Sequence, residues 1–286
     1  MIDISVVVAN FNNPELISTC LQTIDKYLLR PGLEVVIVDN GSVSQELETL
    51  RLNRPHVVIK YLPINMGFGY AINRGAELAR GSNLLILNSD VEIIDFSLQS
   101  LMLEFASTTG HALWSPNLID SDGTKQLPSL RALGIWRFWV QFSVIGEVLR
   151  YMFKKNRKID ACRMTKDERV NYLYGTCLIV KKDDFVRISG FDQKYFLYFE
   201  DLDFCDRFRK VFGSDIWLKS NSQVVHRARG SSGGPNSMNW PYQKSKYIYA
   251  RDTFGLIFAM LLLTFDIPTL FTYLAILRVI NKFLKN

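Results

Sequence analysis

Short apolar runs alternate with amphipathic segments through the first hundred residues. Continuous aliphatic runs predict buried strands at Ile4–Val8, Val35–Val38, Val57–Ile59 and Leu84–Leu87. Apolar residues at helical spacing predict helices between them, at Pro14–Leu29, Gln45–Leu52 and Tyr70–Ala79. This regular alternation predicts an α/β protein with a parallel, doubly wound sheet.

The alternation stops near residue 110. Trp114–Gly123 is typical of a strand and turn, and Ser231–Ser237 of a loop. Thr253–Phe283 is strongly apolar but carries Asp266 and Pro268 in its middle. A carboxylate at the centre of a bilayer-spanning helix costs about 2.5–3.5 kcal/mol. We therefore expect two helices, broken at Asp266–Pro268, that lie in a membrane interface rather than one membrane span.

Composition excludes several classes of protein. The chain has 286 residues, of which 48% are hydrophobic, so it is not a disordered chain. Its four cysteines, Cys20, Cys162, Cys177 and Cys205, form no CxxC pair, which disfavours a disulfide framework or a zinc knuckle. The N-terminus has no basic region followed by a cleavage site, so we expect a protein of the cytosol.

The excess positive charge is local. The net charge is +6, and the segment Arg131–Arg169 holds ten Lys or Arg residues against four Asp or Glu residues, an excess of six. Aromatic residues such as Trp136 and Tyr151 are interleaved with these charges. The pattern fits a nucleic acid, an anionic membrane or a phosphorylated lipid as partner, and equally a solvated helix with one buried face.

Polar residues follow each predicted strand. The four segments are Ala9–Asn12, Asp39–Ser42, Asn65–Gly69 and Asn88–Asp90. Because ligands bind at the carboxyl ends of the strands in an open α/β sheet, the four together indicate a polar ligand. Asp39 suits the N3–H of a pyrimidine, or else caps the next helix; Gly67 suits close approach of a phosphate, and Asp90 a divalent cation.

Two further features carry candidate chemistry. Glu200, Asp201, Asp203 and Asp206 form an acidic cluster that fits either a general base with a raised pKa or the first turn of a helix. His226 follows an apolar pair and is either a metal ligand or a structural histidine.

Taken together, these segments resemble the inverting family 2 glycosyltransferases of the GT-A fold, in particular the rhamnosyltransferase-like branch of bacterial surface polysaccharide synthesis. The resemblance covers roughly residues 3–255 and rests on an ordered series of motifs. The series is Val8–Asn12, Val38–Ser42, Asn65–Gly69 with Asn73–Gly75, Leu87–Asp90, Ser115–Gly123, Tyr174–Cys177, Gly190–Arg207, and His226 with the Gly230–Ser231 loop. It implies a Rossmann-like nucleotide-binding half with a mixed central sheet.

The resemblance also implies roles for individual residues. Asp201 would be the general base, with Glu200 close by, and Asp90 and His226 would hold Mg²⁺ or Mn²⁺. Asp39 and Phe11 would contact the pyrimidine. The rest of the nucleotide-sugar site would comprise Ala9, Asn65, Gly67, Asn73, Asn88 and Ser89. Two departures stand out: Asn88-Ser89-Asp90 replaces Asp-x-Asp, and Phe11 replaces the commoner Tyr.

The implied activity is non-processive transfer of a sugar from a nucleoside diphosphate to a lipid-linked saccharide, because the Gln-x-x-Arg-Trp signature of processive synthases is missing. We expect dTDP-L-rhamnose as donor, with a UDP-hexose second, and no nucleic-acid partner. A nucleotidyltransferase and a non-catalytic assembly scaffold are the alternatives.

The expected organisation has three parts. Residues 1–110 would bind the nucleotide sugar, and 111–250 the acceptor, with the basic aromatic segment at 131–169. Residues 251–286 would associate with the cytoplasmic face of the inner membrane.

Overall fold

The computed structural model describes residues 2–43, 47–52, 54–126, 129–130, 134–143, 146, 166–227 and 240–267. Several predicted features lie outside these ranges, namely the helix start at Gln45, most of the segment 131–169, Cys162, the loop 231–237 and the tail from Pro268 onward. The chain divides into two compact units, Met1–Ala132 with Asp160–Gly233, and Leu133–Ile159 with Gly234–Asn286. The predicted boundary at residue 110 stays a prediction.

The first unit begins with the expected alternation. Its elements are β1 (Ile4–Asn10), α1 (Pro14–Tyr27), β2 (Leu33–Asp39), α2 (Leu47–Arg51), β3 (Val57–Tyr61), α3 (Phe68–Leu78) and β4 (Asn83–Asn88). The four strands and three helices predicted for this region are confirmed. The apolar runs of β1, β2 and β4 are buried, whereas β3 is partly exposed. The strands extend one to three residues beyond the apolar runs, because polar residues continue the ladder at their ends.

Further elements follow. They are β5 (Val91–Ile93), α4 (Ser97–Ala106), β6 (Leu113–Ile119), β7 (Ser129–Leu130), β8 (Glu168–Val170), β9 (Tyr172–Leu173), β10 (Cys177–Lys181), α6 (Lys182–Arg187), α7 (Glu200–Phe212) and β11 (Ile216–His226), with α5 (Ile135–Phe142) belonging to the second unit. The strand and turn expected at Trp114–Gly123 and the helix expected after the acidic cluster are both confirmed.

The central sheet is mixed. Within the described residues nine strands join in the order β3-β2-β1-β4-β10-β6-β11-β5, with β8 beside β11. β1 to β4 are parallel, but β10 runs antiparallel between β4 and β6. The prediction of a purely parallel sheet is therefore wrong beyond β4, while the mixed sheet implied by the resemblance is confirmed. Pairing of β4 with β10, about ninety residues away in sequence, is a long-range contact that local patterns do not encode.

The sheet supports the site through a close-packed core. Residues such as Val6, Val35 and Leu85 on the strands and Leu21 and Ile24 on α1 are wholly buried in one apolar cluster. Three cysteines, Cys20, Cys177 and Cys205, are buried free thiols. Close-packed protein interiors resist deformation, so the polar residues at the strand ends are held on a rigid frame.

The second unit contains α5, α8 (Trp240–Phe254) and a following helix, α9, over residues 256–267. The chain turns at Gly255, whose φ of +94° suits glycine. The expected break at Asp266–Pro268 is wrong at Asp266, which is helical and buried against Lys246. A helix long and apolar enough to cross a bilayer does not occur among the described residues.

Candidate active site

Asp39 lies at the end of β2 with its carboxylate already partly engaged. Its Oδ1 accepts hydrogen bonds from Ser42 Oγ at 2.5 Å and Asn10 Nδ2 at 3.2 Å. Within the described residues, its Oδ2 accepts one long bond, from the Ser42 amide at 3.3 Å. These bonds shape a turn over Asp39–Ser42, whereas α2 begins at Leu47, so the alternative in which Asp39 caps the next helix is wrong. The turn leaves Oδ2 able to accept a further N–H.

Phe11 and Asn12 form the loop after β1. The Asn12 amide donates to Ser42 Oγ at 2.8 Å, and the Asn12 side chain accepts from the Val43 amide at 3.0 Å. These bonds fasten the loop after β1 to the loop after β2. Phe11 keeps an exposed ring beside them, at 40% exposure, and Ala9 is half-buried on the strand itself.

Asn40 joins the loops after β2 and β3, a role that the sequence did not predict. Its Nδ2 donates to Asn65 Oδ1 at 2.9 Å and to the Gly67 carbonyl at 3.1 Å, and its Oδ1 accepts from the Met66 amide at 2.9 Å. Asn65 Oδ1 also accepts from the Gly67 amide. The side-chain oxygen of Asn65 therefore shapes the loop, and its predicted contact with a donor remains a prediction.

Gly67 lies directly against the segment that precedes the acidic cluster. Its φ is +92°, and a Cβ there would sit 2.1 Å from the Phe196 carbonyl oxygen. The neighbouring Phe68 amide donates to the same oxygen at 3.1 Å. The Phe196 backbone therefore requires glycine at position 67. This reason differs from the close approach of a phosphate that the sequence predicts.

Asn73 is also engaged by that segment. Its Nδ2 donates to the Phe191 carbonyl at 2.8 Å, and its Oδ1 accepts from the Phe191 amide at 2.9 Å. Asn73 thus fixes the start of the loop leading to Glu200. A direct contact with the donor, as expected from the sequence, stays a prediction.

Asp90 and His226 are brought together by strand pairing. β5 pairs antiparallel with the end of β11, so that His226 lies opposite Val91, the residue after Asp90. Asp90 Oδ1 is 3.4 Å from His226 Nε2, and both side chains are largely buried. Ser89 is buried beside them, and the buried Oδ1 of Asn88 accepts no hydrogen bond from any residue that the structure describes.

This donor set fits a hard divalent cation bound together with a diphosphate. Mg²⁺ is commonly held by one or two carboxylates plus phosphate oxygens, and imidazole is a ligand for several transition metals. Two protein ligands fall short of a complete coordination shell. In the described ranges, no group of three or more acidic, His or Cys side chains is placed to hold a metal.

Glu200 and Asp201 begin α7 after two residues with left-handed backbone. Tyr198 and Phe199 have φ of +66° and +68°, a conformation that is uncommon for residues other than glycine. Asp201 Oδ2 accepts from the Gly175 amide at 3.0 Å, and its Oδ1 from the Leu202 amide at 2.9 Å. The Glu200 carboxyl is buried, and its Oε2 accepts no hydrogen bond in the described part of the chain.

Burial decides the protonation of this acidic pair. Burial raises the pKa of Asp201, and the bonds from Gly175 and Leu202 oppose the rise. Burial followed by the charge of Asp201 raises the pKa of Glu200 well above its ordinary value. The arrangement therefore favours a protonated Glu200 next to an ionised Asp201.

The two acidic positions predicted from sequence lie at one edge of the sheet. The Asn88 amide, two residues before Asp90, donates to the Thr176 carbonyl at 3.1 Å. The adjacent Gly175 amide donates to Asp201. The end of β4 and the two residues before β10 thus connect the Asp90 region to Asp201 through two hydrogen bonds, although the acids are more than a hundred residues apart in sequence.

Comparison with known proteins identifies the family. Residues 5–187 match the family model described as glycosyl transferase family 2. The chain belongs to glycosyl transferase family 2. It is a glycosyltransferase with a mixed α/β sheet of the GT-A type.

One curated relative is the N-acetylglucosaminyl-diphospho-decaprenol L-rhamnosyltransferase of Mycobacterium tuberculosis (strain ATCC 25618 / H37Rv). It is 26% identical over 240 residues, which cover 77% of this chain and 75% of the relative.

Solved structures agree on the fold. GalNAc-T7 with UDP, GalNAc and Mn²⁺ superposes with a TM-score of 0.64 at 17% identity, over 88% of this family 2 chain and 48% of the other. Staphylococcus aureus TarS 1-349 in complex with UDP-GlcNAc gives a TM-score of 0.57 at 15% identity, over 88% and 67%. The chain thus spans about half the length of the GalNAc-T7 chain.

Proposed function

We propose that this glycosyltransferase moves one sugar, with inversion, from a nucleoside diphosphate to an acceptor hydroxyl. The observation that carries the proposal is the Asn88–Thr176 and Gly175–Asp201 pair of hydrogen bonds, which links the Asp90 region to a fixed, buried carboxylate. A donor diphosphate near Asp90 would then have its sugar close to Asp201.

Asp201 is the general base of the proposed reaction. Its carboxylate accepts the proton of the acceptor hydroxyl while the acceptor oxygen bonds to the anomeric carbon. The bond from that carbon to the diphosphate oxygen breaks on the opposite face, so a single displacement inverts the configuration. The amides of Gly175 and Leu202 fix the orientation of the carboxylate.

Asp39 and Phe11 hold the nucleotide base. The free acceptor capacity of Asp39 Oδ2 suits the N3–H of uracil or thymine, and the exposed Phe11 ring suits stacking on its face. Uracil and thymine share this N3–H, so both donor classes fit. We propose dTDP-L-rhamnose first, because the M. tuberculosis relative is an L-rhamnosyltransferase, and a UDP-hexose second.

Asp90 and His226 would hold Mg²⁺ or Mn²⁺. When bound, the cation would neutralise charge that develops on the leaving diphosphate. The short distance between the carboxylate and the imidazole and the open Oδ1 of Asn88 support this assignment, as does the Mn²⁺ in the GalNAc-T7 structure.

The acceptor we propose is a lipid-linked saccharide at a membrane surface. The name of the M. tuberculosis relative specifies an N-acetylglucosaminyl-diphospho-decaprenol acceptor. In the second unit, α9 exposes a run of large apolar side chains, Leu256, Ile257, Met260, Leu261 and Phe265. Trp136 on α5 is 77% exposed next to exposed Arg137, and Lys244 is exposed on α8. Apolar side chains with neighbouring cations are typical of a surface that binds anionic lipid.

Transfer assays test the catalytic proposal. The purified full chain is incubated with dTDP- and UDP-sugars and a prenyl-diphosphate-linked GlcNAc acceptor, and products are read by mass spectrometry and NMR. Asp201→Asn should reduce transfer at least about a hundredfold while donor binding survives, since general bases contribute about 10²–10⁴-fold. Asp206→Asn is the matched control, because that carboxylate on the same helix pairs with Arg209. Normal turnover by Asp201→Asn, or retention of configuration in the product, would refute the mechanism.

Vesicle sedimentation tests the membrane proposal separately. The wild type should sediment with vesicles of phosphatidylcholine and phosphatidylglycerol and less with phosphatidylcholine alone. The double variant Ile257→Gln with Met260→Gln should lose most of this binding. Val43→Gln in the first unit removes an apolar side chain that is 92% exposed and should change nothing. Equal binding by all three proteins would exclude α9 as the lipid-binding surface.

A further inference from the structure

The ring of His226 contacts a glutamine that the proposed reaction does not use. His226 Nδ1 lies 2.8 Å from Gln126 Oε1. The same amide donates twice from its nitrogen, to Asp120 Oδ1 at 2.7 Å and to the His226 carbonyl at 2.8 Å. The side-chain amide of Gln126 is thus committed at both its oxygen and its nitrogen to His226 and Asp120.

A tight turn brings Gln126 to this position. β6 ends parallel to β11, with Ile119 opposite Val225. The chain then reverses over Asp120–Thr124, where Gly123 has a φ of +80° and Asp122 accepts from both the amide and the hydroxyl of Thr124. These bonds lower the pKa of Asp122. The Gln126 backbone amide donates to the Leu118 carbonyl at 2.9 Å, which places the side chain beside the end of β11.

The network allows one orientation of the amide. If the Gln126 amide were rotated by half a turn, its oxygen would face the Asp120 carboxylate and the His226 carbonyl, and three acceptors would meet. The observed orientation instead gives the nitrogen two acceptors and leaves Oε1 facing the ring. Because Oε1 can only accept, His226 Nδ1 must carry a proton.

In the neutral ring, a proton on Nδ1 leaves the lone pair on Nε2. That lone pair faces Asp90 Oδ1 at 3.4 Å. Two electron-rich atoms this close repel each other unless a cation or proton lies between them. The tautomer enforced by Gln126 is therefore the one that a metal-binding imidazole requires.

We propose that Gln126 is a positioning residue that fixes the tautomer and ring orientation of His226 for cation binding, and that Asp120 fixes Gln126. The proposal rests on the metal site of the proposed function but concerns residues of the turn after β6. Side chains that orient a metal ligand in this way commonly change affinity about 10–100-fold when replaced.

Nitrogen NMR of the ring tests the tautomer without any turnover. The chain has only three histidines, so the ¹⁵N signals of His226 can be assigned by comparison with His226→Gln. In the metal-free wild type at about pH 8.5, Nδ1 should be protonated and Nε2 bare. Gln126→Leu should shift the ring toward the Nε2–H tautomer that free histidine favours. Lys125→Gln replaces an exposed side chain of the same turn and should retain the wild-type tautomer.

Titration with Mn²⁺ alone, followed by the EPR signal of the free ion, gives the second readout. Gln126→Leu should weaken Mn²⁺ binding about 10–100-fold. Lys125→Gln, an exposed neighbour on the same turn, should bind Mn²⁺ like the wild type. A wild-type ring protonated on Nε2 alone, or identical tautomers in the wild type and Gln126→Leu, would overturn the proposal even if the enzyme transfers sugar normally. A wild type that transfers no sugar would instead refute the proposed function.

Discussion

Lys246 donates to Asp266 across 2.6 Å between two side chains that are at most 1% exposed. The Tyr247 hydroxyl donates to the same carboxylate oxygen at 3.2 Å. The pair joins α8 to α9 within the second unit. The sequence made the Asp266 carboxylate unfavourable in an apolar segment. In the structure it is paired with the buried Lys246 ammonium of the preceding helix.

Removing one member of this pair should destabilise the second unit strongly. Asp266→Ala leaves the Lys246 charge in the interior, which costs about 3–5 kcal/mol. The double variant Lys246→Met with Asp266→Leu replaces both charges by apolar groups and should come close to wild-type stability. Hydrogen exchange of the α8 amides measures this effect within the second unit. A local measurement is used because a chain with two units need not unfold in one step. Equal protection in the single and double variants would show that the pair does not hold α8 and α9 together.

Glu34 should make the stability of the first unit depend on pH. Its buried carboxylate accepts from Ser5 Oγ at 2.6 Å, the Arg80 amide at 2.5 Å and Arg80 Nε at 2.7 Å. These bonds outweigh burial and lower the pKa of Glu34 below its ordinary value of 4.5. A lowered pKa in the folded state adds stability above the unfolded value, and this contribution is lost as the pH falls through the folded value.

Glu34→Gln should therefore be less stable than the wild type by about 1.5–3 kcal/mol at neutral pH. The difference should shrink as the pH falls below 4.5. Urea unfolding of both proteins across this range measures it. A difference that is constant with pH would mean that the charge of Glu34 does not contribute.

Gly67 should tolerate alanine far less well than a glycine of similar backbone geometry. Gly110 has a φ of +81° and no atom within 4 Å of the position that a Cβ would take, so Gly110→Ala should cost only the left-handed strain of about 1–2 kcal/mol. Gly67→Ala has the same strain plus a collision with the Phe196 carbonyl. We expect a larger loss of stability and a loss of transfer activity, because Phe196 belongs to the segment that leads to Asp201 at the start of α7. Comparable activity in the two variants would contradict this.

The pH dependence of transfer should report Asp201. Burial raises its pKa above the ordinary 3.8, so kcat/KM should fall on acidification with a limb above that value. Asp201 should ionise while Glu200 is still protonated, and glutamine resembles a protonated glutamate. Glu200→Gln should therefore leave the position of the limb unchanged. A clear downward displacement of the limb in that variant would show that Glu200 is ionised in the working enzyme.

Chelation should abolish transfer if Asp90 and His226 hold a cation. Treatment with EDTA followed by gel filtration should give an inactive protein that Mn²⁺ or Mg²⁺ restores. Asp90→Asn should require much more cation for half-maximal activity, since a charged ligand becomes neutral. Glu92→Gln is the matched control, because Glu92 pairs with Arg227 on the neighbouring strand. Full activity after chelation would remove the metal from the mechanism.

The sequence predicted the first four strands and their helices well because their signals are local. Runs such as Val35–Val38 are buried on both faces, and no other element competes for them. The antiparallel insertion of β10 between β4 and β6 depends on pairing between distant segments, and residue patterns alone left the sheet parallel. The resemblance to a known family supplied the mixed sheet.

Within the site, the carboxylates were easier to predict than the residues that hold them. The acidic cluster marked Asp201 as a candidate, and the resemblance gave it the role of general base. Its partner Gly175 lies in the Tyr174–Cys177 motif, but it donates through its backbone, which no side-chain pattern reveals. Nothing in the sequence around Asn40 or Asn73 indicates a structural role. In the structure, the side chains of both bind backbone groups of neighbouring loops. Gln126 is a hundred residues from His226 and carries no motif of its own. The turn residues Asp120 and Gly123 are the sequence features that could have pointed to Gln126.

The contact between Gly67 and Phe196 has a consequence for engineering. The loop after β3, which we propose borders the nucleotide, and the segment that leads to Asp201 touch backbone to backbone, with no side chain between Gly67 and the Phe196 carbonyl to absorb a shift. Attempts to exchange donor preference by grafting the loop after β3 from another enzyme should therefore disturb acceptor chemistry as well. Successful swaps should need both segments to be transplanted as one piece.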